Sequence, residues 1–165
     1  METPIPESAE QISAACERAI NLAPSEWPAT LSPSKDLLGA PEWYSFEREA
    51  WPIGESIRRT FVKNRKLRRP EIFRRVIQVL ECRDLRRGRQ SFVTALEFSE
   101  AREFASSLVP LLDDPDVAGQ VVQTLLKMKA AGYGPFVKPL IHSNAAWIRR
   151  LAKRYVERYP AGTLG

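Results

Sequence analysis

The chain has 165 residues, 44% hydrophobic and 27% charged, with a formal net charge of +5 and a mean hydropathy of −0.32. That composition belongs to a globular chain with a real core and excludes a disordered or collagen-like one. No apolar run approaches the roughly 20 residues that span a bilayer. The two cysteines, Cys16 and Cys82, form no CxxC or Cys/His cluster, which excludes a disulfide scaffold and a zinc site. No basic-then-apolar leader opens the sequence, so a cytoplasmic location is expected.

The first predicted helix covers about 8–22. Ser8-Ala9-Glu10-Gln11 has the form of a capping box, and Ile12, Ala15, Cys16, Ala19 and Ile20 follow at helical spacing. From Pro24 to Pro41 the chain turns to Pro, Ser and Thr, including Pro28 and Pro33, and reads as a connecting segment. Domains are therefore expected at 1–40, a helix with a connecting segment, and at 41–165. Residues 41–51 are dense in aromatics (Trp43, Tyr44, Phe46, Trp51) and predict one short helix. A new one is expected to start at Pro52 and run to about 64 on Ile53, Ile57 and Phe61.

After the basic turn at 63–70, no stretch alternates like a strand, and helical periodicity recurs five times. Ile72, Phe73, Val76, Val79 and Leu80 form one apolar face, and Phe92, Val93 and Leu96 the next. Ala101, Phe104, Ala105, Leu108, Leu111 and Leu112 follow, then Val117, Val121, Val122, Leu125 and Met128. A short segment with Phe136, Val137, Leu140 and Ile141 leads to a last stripe of Ile148, Leu151, Ala152, Tyr155, Val156 and Tyr159. Short connections favour antiparallel neighbours, so the fold class is all-α.

A repeat emerges when Pro110 is aligned with Pro139, a spacing of 29 residues. Val109-Pro110-Leu111-Leu112 before Asp113-Asp114-Pro115 matches Val137-Lys138-Pro139-Leu140-Ile141 before His142-Ser143-Asn144. Val79-Leu80-Glu81-Cys82 stands about one period earlier without the proline. The runs VPLLDDPDV at 109–117 and PLIHSNAAWIRRLA at 139–152 resemble the HEAT family in its short-period bacterial form. Ile148-Arg149 supplies the aliphatic–arginine pair that the family favours, whereas Val117-Ala118 lacks the arginine. The resemblance covers about 70–160. It implies a short α-solenoid of HEAT-like helical hairpins with a curved binding surface, and no particular ligand. The N-terminal helix and the aromatics are expected to cap the open end of the stack.

Charge is distributed unevenly. Residues 1–56 carry ten acids against Arg18, Lys35 and Arg48, while residues 57–90 carry thirteen Lys or Arg against Glu71, Glu81 and Asp84. Arginine forks suit carboxylate and phosphate, so the basic middle is expected to meet something acidic. The candidate partner-binding residues are Arg58, Arg59, Lys63, Arg65, Lys66, Arg68, Arg69, Arg74, Arg75, Arg86 and Arg87, with Arg149, Arg150 and Arg154 on the last helix. Three ligands fit them: an acidic protein, nucleic acid, or the chain's own acidic N-terminal third.

The bland readings are also clear. Asp113, Asp114 and Asp116 surround Pro115 where a helix should begin, and cap chemistry accounts for them. His142 has no nucleophile or further ligands arranged with it, and Gly132-Tyr133-Gly134-Pro135 is a turn, not a phosphate loop. The expectation is a non-catalytic binding module, an adaptor, inhibitor or immunity-type protein, without metal, cofactor or small-molecule substrate. Its basic face is expected to meet an acidic protein, with sequence-independent nucleic-acid binding as the alternative.

Overall fold

The computed structural model describes residues 2–26 and 43–160. Most of the expected connecting segment, including Trp27, Pro28 and Pro33, lies outside them. The described residues are helical and contain no β-strand, so the chain is all-α. They form two compact units, residues 1–95 and 96–165.

In unit 1, α1 (Ala9–Asn21) starts at Ser8, whose hydroxyl accepts the Gln11 N–H at 3.2 Å. The Gln11 side chain reaches back to the Glu7 N–H at 2.7 Å, one residue outside the expected box. Its face of Ile12, Ala15, Cys16 and Ala19 is buried against α2 (Ser45–Lys63) and α3 (Pro70–Glu81). Pro70 occupies the first turn of α3, where its missing N–H costs nothing.

Helix α2 departs from the expectation of two helices. It runs through Pro52 without a break. An interior proline costs about 3 kcal/mol. The stripe Phe46, Ala50, Ile53, Ile57 and Phe61 continues across it, and each large member contributes about 1.5–3 kcal/mol when buried. Burial therefore outweighs the proline. Phe61 meets Phe73 of α3 edge-on, with ring centroids 5.2 Å apart. At Gly54, α2 comes so close to α4 (Gln90–Thr94) that an added Cβ would lie 2.8 Å from the Phe92 backbone nitrogen.

In unit 2, a 3-10 turn at Ser99–Phe104 leads into α5 (Ala105–Leu108), which tightens into a 3-10 turn at Val109–Asp113. Then come α6 (Ala118–Lys127), α7 (Gly134–Val137), another 3-10 turn at Lys138–His142 and α8 (Ala146–Arg158). The segments aligned on Pro110 and Pro139 thus share one succession: a single α-turn, a 3-10 turn with proline near its start, a polar corner and a longer helix. Leu108, Val121, Val122, Leu125, Val137 and Tyr155 lie at the centre of the unit's core. On α8 only Ala152 and Tyr155 are buried, and Ile148, Leu151, Val156 and Tyr159 are half-covered.

Candidate basic interface

The basic chain between 58 and 89 holds buried or half-buried arginines beside cations exposed at the surface. Arg58 grips Glu55 with two bonds of 2.9 Å, and Arg59 reaches the same carboxylate at 3.4 Å. The Arg58 hydrogen bonds, helped by Arg59, hold the Glu55 carboxyl below the usual range against its partial burial. Arg68 donates from Nε to the Phe61 carbonyl at 2.7 Å, satisfying a carbonyl in the last turn of α2. It is therefore a helix-capping residue as well as a basic one.

Arg86 and Arg87 are tied to the acidic first third of the chain. Glu47, in the first turn of α2, is fully buried and accepts from the Tyr44 N–H (2.7 Å), the Arg87 N–H (3.1 Å) and Arg87 Nε (3.3 Å). Arg86 lies 4.0 Å from the same carboxylate. Each guanidinium also covers an aromatic ring, Arg86 over Tyr44 at 5.1 Å and Arg87 over Trp43 at 5.3 Å. Arg86 has a φ of +49°, a conformation that costs a non-glycine residue and is held here by these contacts. The aromatics Trp43, Tyr44 and Phe46 thus pack within unit 1, Tyr44 stacked on Phe46 at 5.6 Å, while Trp51 stays 37% exposed. Arg89, a further cation of the basic middle, is buried. It has no exposed surface and donates to the carbonyls of Arg86 (3.0 Å) and Leu80 (3.2 Å). The adjacent Gly88, packed on Glu47 and Ala50, was the available sign of a buried turn.

Exposed on this stretch are Arg59, which also reaches Glu55, and Lys63 in the last two turns of α2, Arg65 and Lys66 in the Arg65–Leu67 turn, Arg69 before α3, Arg74 and Arg75 on it, and Arg83 after it. Asn64 accepts the Lys66 N–H at 3.1 Å and shapes that turn. Arg69 meets Glu71 at 3.1 Å, both side chains more than half exposed, and Arg75 meets Gln78 at 3.4 Å. The structure thus assembles a cationic edge where α2 turns into α3.

On α8, Arg149 donates to the carbonyls of Ser143 (2.7 Å) and Asn144 (3.0 Å) and pins the corner before the helix. Arg150 and Arg154 are exposed. Arg154 lines an open groove of about 330 Å³ with Gln123, Leu126, Lys127, Lys129, Leu151 and Arg158. A larger hollow of about 690 Å³ on unit 1, including Ile5, Trp51, Glu55 and Arg59, is open and of mixed character. At the 113–116 corner, Asp114 accepts the Asp116 N–H at 3.0 Å and its carbonyl accepts from Val117 and Ala118, so it shapes the entry to α6. His142 ends its 3-10 turn, exposed. Among the described residues, no three His, Cys, Asp or Glu side chains are grouped to hold a metal. No helix among them is long and apolar enough to cross a membrane.

No protein-family model matches the chain, and no match was found in comparisons with curated proteins and with solved structures.

Proposed function

We propose that this protein is a non-catalytic binding module, built of HEAT-like helical hairpins, that docks an acidic protein partner on the cationic edge of unit 1. The observation that carries the reading is the exposure of Arg59, Lys63, Arg65, Lys66, Arg69, Arg74 and Arg75 over a stretch whose one acid is Glu71. Cations crowded this way repel one another, and an opposing set of carboxylates relieves the repulsion. Arg58, held by Glu55, and Arg86 and Arg87, held by Glu47, are occupied within unit 1 and contribute little to docking. The succession repeated at a 29-residue spacing in unit 2 supports the HEAT-like reading, because each hairpin leaves an apolar face for its neighbour to cover. Free thiols at Cys16 and Cys82 fit a reducing compartment, the cytoplasm.

A protein ligand is favoured over a single nucleic-acid strand because Phe61 and Phe73, the aromatics of this stretch, are buried and offer no stacking platform. The test is fluorescence anisotropy of the full chain against a labelled glutamate-rich peptide and a labelled random DNA duplex, at low and physiological salt. The variant is Lys66→Glu with Arg69→Glu, which spares the helix-capping Arg68. Peptide binding that falls at least tenfold in the variant, with folding intact by circular dichroism, supports the edge. Tighter binding of the duplex, with a log–log salt slope of several phosphates, transfers the edge to nucleic acid. Peptide binding untouched by the variant removes the edge from the account.

A further inference from the structure

We propose that the groove between α6 and α8 in unit 2 is a docking site for an acidic protein segment that carries a leucine-sized apolar anchor. The proposal rests on the acidic-partner reading for the class of ligand and adds a second, separate set of residues. Leu126 and Leu151 are apolar members of the lining, and Lys127, Lys129, Arg154 and Arg158 are its cations. No carboxylate is among the described residues that line it. Glu97 holds Lys127 at 2.9 Å from outside the lining, and the lysine stays half-exposed.

Two features of this lining run against what the fold alone would choose. Helix α6 ends with the Ala130 N–H on the Leu125 carbonyl (2.9 Å) and the Lys129 N–H on the Leu126 carbonyl (3.2 Å). That closure places Lys129 in the left-handed region, with φ +59°. Glycine is the usual residue there because it lacks a Cβ to clash. A lysine in that place adds a cation to the groove at the expense of local stability. On α8, Arg154 and Arg158 stand at four-residue spacing, like charges on one face that both line the groove. Departures from local preference that converge on one groove point to a ligand.

The chemistry selects that ligand. Four cations call for carboxylates or phosphates, and the leucines call for an apolar group beside them. No aromatic ring is among the described lining residues, so stacked bases have no platform. The volume of about 330 Å³ suits one or two side chains of a segment, rather than a whole cofactor.

The experiment uses the full chain and three fluorescein-labelled probes: a twelve-residue glutamate peptide with two leucines four apart, the same peptide with glutamines in place of the leucines, and a twelve-nucleotide oligo-dT. The leucine peptide is expected to bind at least tenfold more tightly than the other two at physiological salt. Arg154→Glu should weaken it at least tenfold. Lys129→Gly should weaken it at least threefold while leaving the melting temperature equal or higher, a pair of effects that a purely structural lysine would not produce. Equal binding of the two peptides, tighter binding of oligo-dT, or an unchanged affinity in Lys129→Gly overturns the proposal. Loss of leucine-peptide binding in Lys66→Glu with Arg69→Glu, with Arg154→Glu unaffected, also overturns it and leaves the edge of unit 1 standing. Loss in Arg154→Glu alone supports the groove whether or not the edge binds anything.

Discussion

Replacing Tyr155 with phenylalanine removes one oxygen from the interior of unit 2 and little else. The side chain has no exposed surface. Its hydroxyl donates to the Ala130 carbonyl at 2.5 Å and accepts the Tyr133 N–H at 3.2 Å, fastening the chain after α6 to the middle of α8. Phenylalanine fills nearly the same volume, so no large cavity opens. Each lost hydrogen bond is worth about 1 kcal/mol, and the Ala130 carbonyl, in a residue 2% exposed, loses that partner in a place water does not easily reach. The expected destabilisation is about 2–3 kcal/mol. At about 2–4 °C per kcal/mol for a chain of this size, the melting temperature should fall by about 4–12 °C. Urea unfolding followed by circular dichroism at neutral pH measures it. A loss below about 1 kcal/mol would refute the reasoning, because it would mean that the two backbone groups find water or other partners.

The same variant has a pH signature. Burial pushes the Tyr155 hydroxyl above the ordinary tyrosine range, opposed by the Tyr133 N–H and reinforced by the neighbouring Tyr159 and Tyr133 hydroxyls, whose ionised forms repel its own. A raised acid contributes stability that is full below the unfolded value, about pH 10, and is lost as pH rises through the folded value. The gap between the native protein and Tyr155→Phe should therefore narrow above about pH 10.

Gly54→Ala should destabilise unit 1 by about 1–3 kcal/mol in the same urea assay, even though alanine is the better helix former by about 1 kcal/mol. The new methyl would lie 2.2 Å from the Ser91 hydroxyl oxygen and 2.8 Å from the Phe92 nitrogen, and the backbone of α4 cannot rotate away. A more stable variant would contradict that contact. For the cysteines, burial pushes the Cys16 thiol up to about 12, although Arg75 and Arg18 pull it down. The half-exposed Cys82 is raised too, by burial and the nearby Asp84. Ellman's reagent at pH 8 should titrate Cys82 alone in the native protein and reach Cys16 after denaturation; two fast thiols would mean that α1 detaches.

Much of the helical content was legible because its causes are local. The stripes at 12–19, 72–80 and 117–128 recur every three to four residues, and each lies on a helix that buries it. Ser8 marked the start of α1 through a backbone N–H three residues on. The spacing between Pro110 and Pro139 was visible as sequence, and the structure gives both prolines the same 3-10 setting. The continuity of α2 through Pro52 was not legible. It depends on partners distant in the chain, such as Ser91, whose hydroxyl donates to the Trp51 carbonyl at 2.7 Å.

The candidate site was legible as composition only. Sequence alone determined that a basic segment follows an acidic one and that both contain helices, because charge and periodicity are properties of neighbours. It did not separate Arg87, held by Glu47 forty residues away, from Lys66, turned to solvent, or reveal that Arg89 is buried among carbonyls. Those assignments depend on which carboxylates and carbonyls the packing of α2 brings within about 3 Å of each guanidinium, a distance that spacing along the chain does not encode. Lys129 makes the same point in unit 2: its cost comes from a backbone angle that closes α6, and its use from arginines on α8 that only the tertiary fold sets beside it.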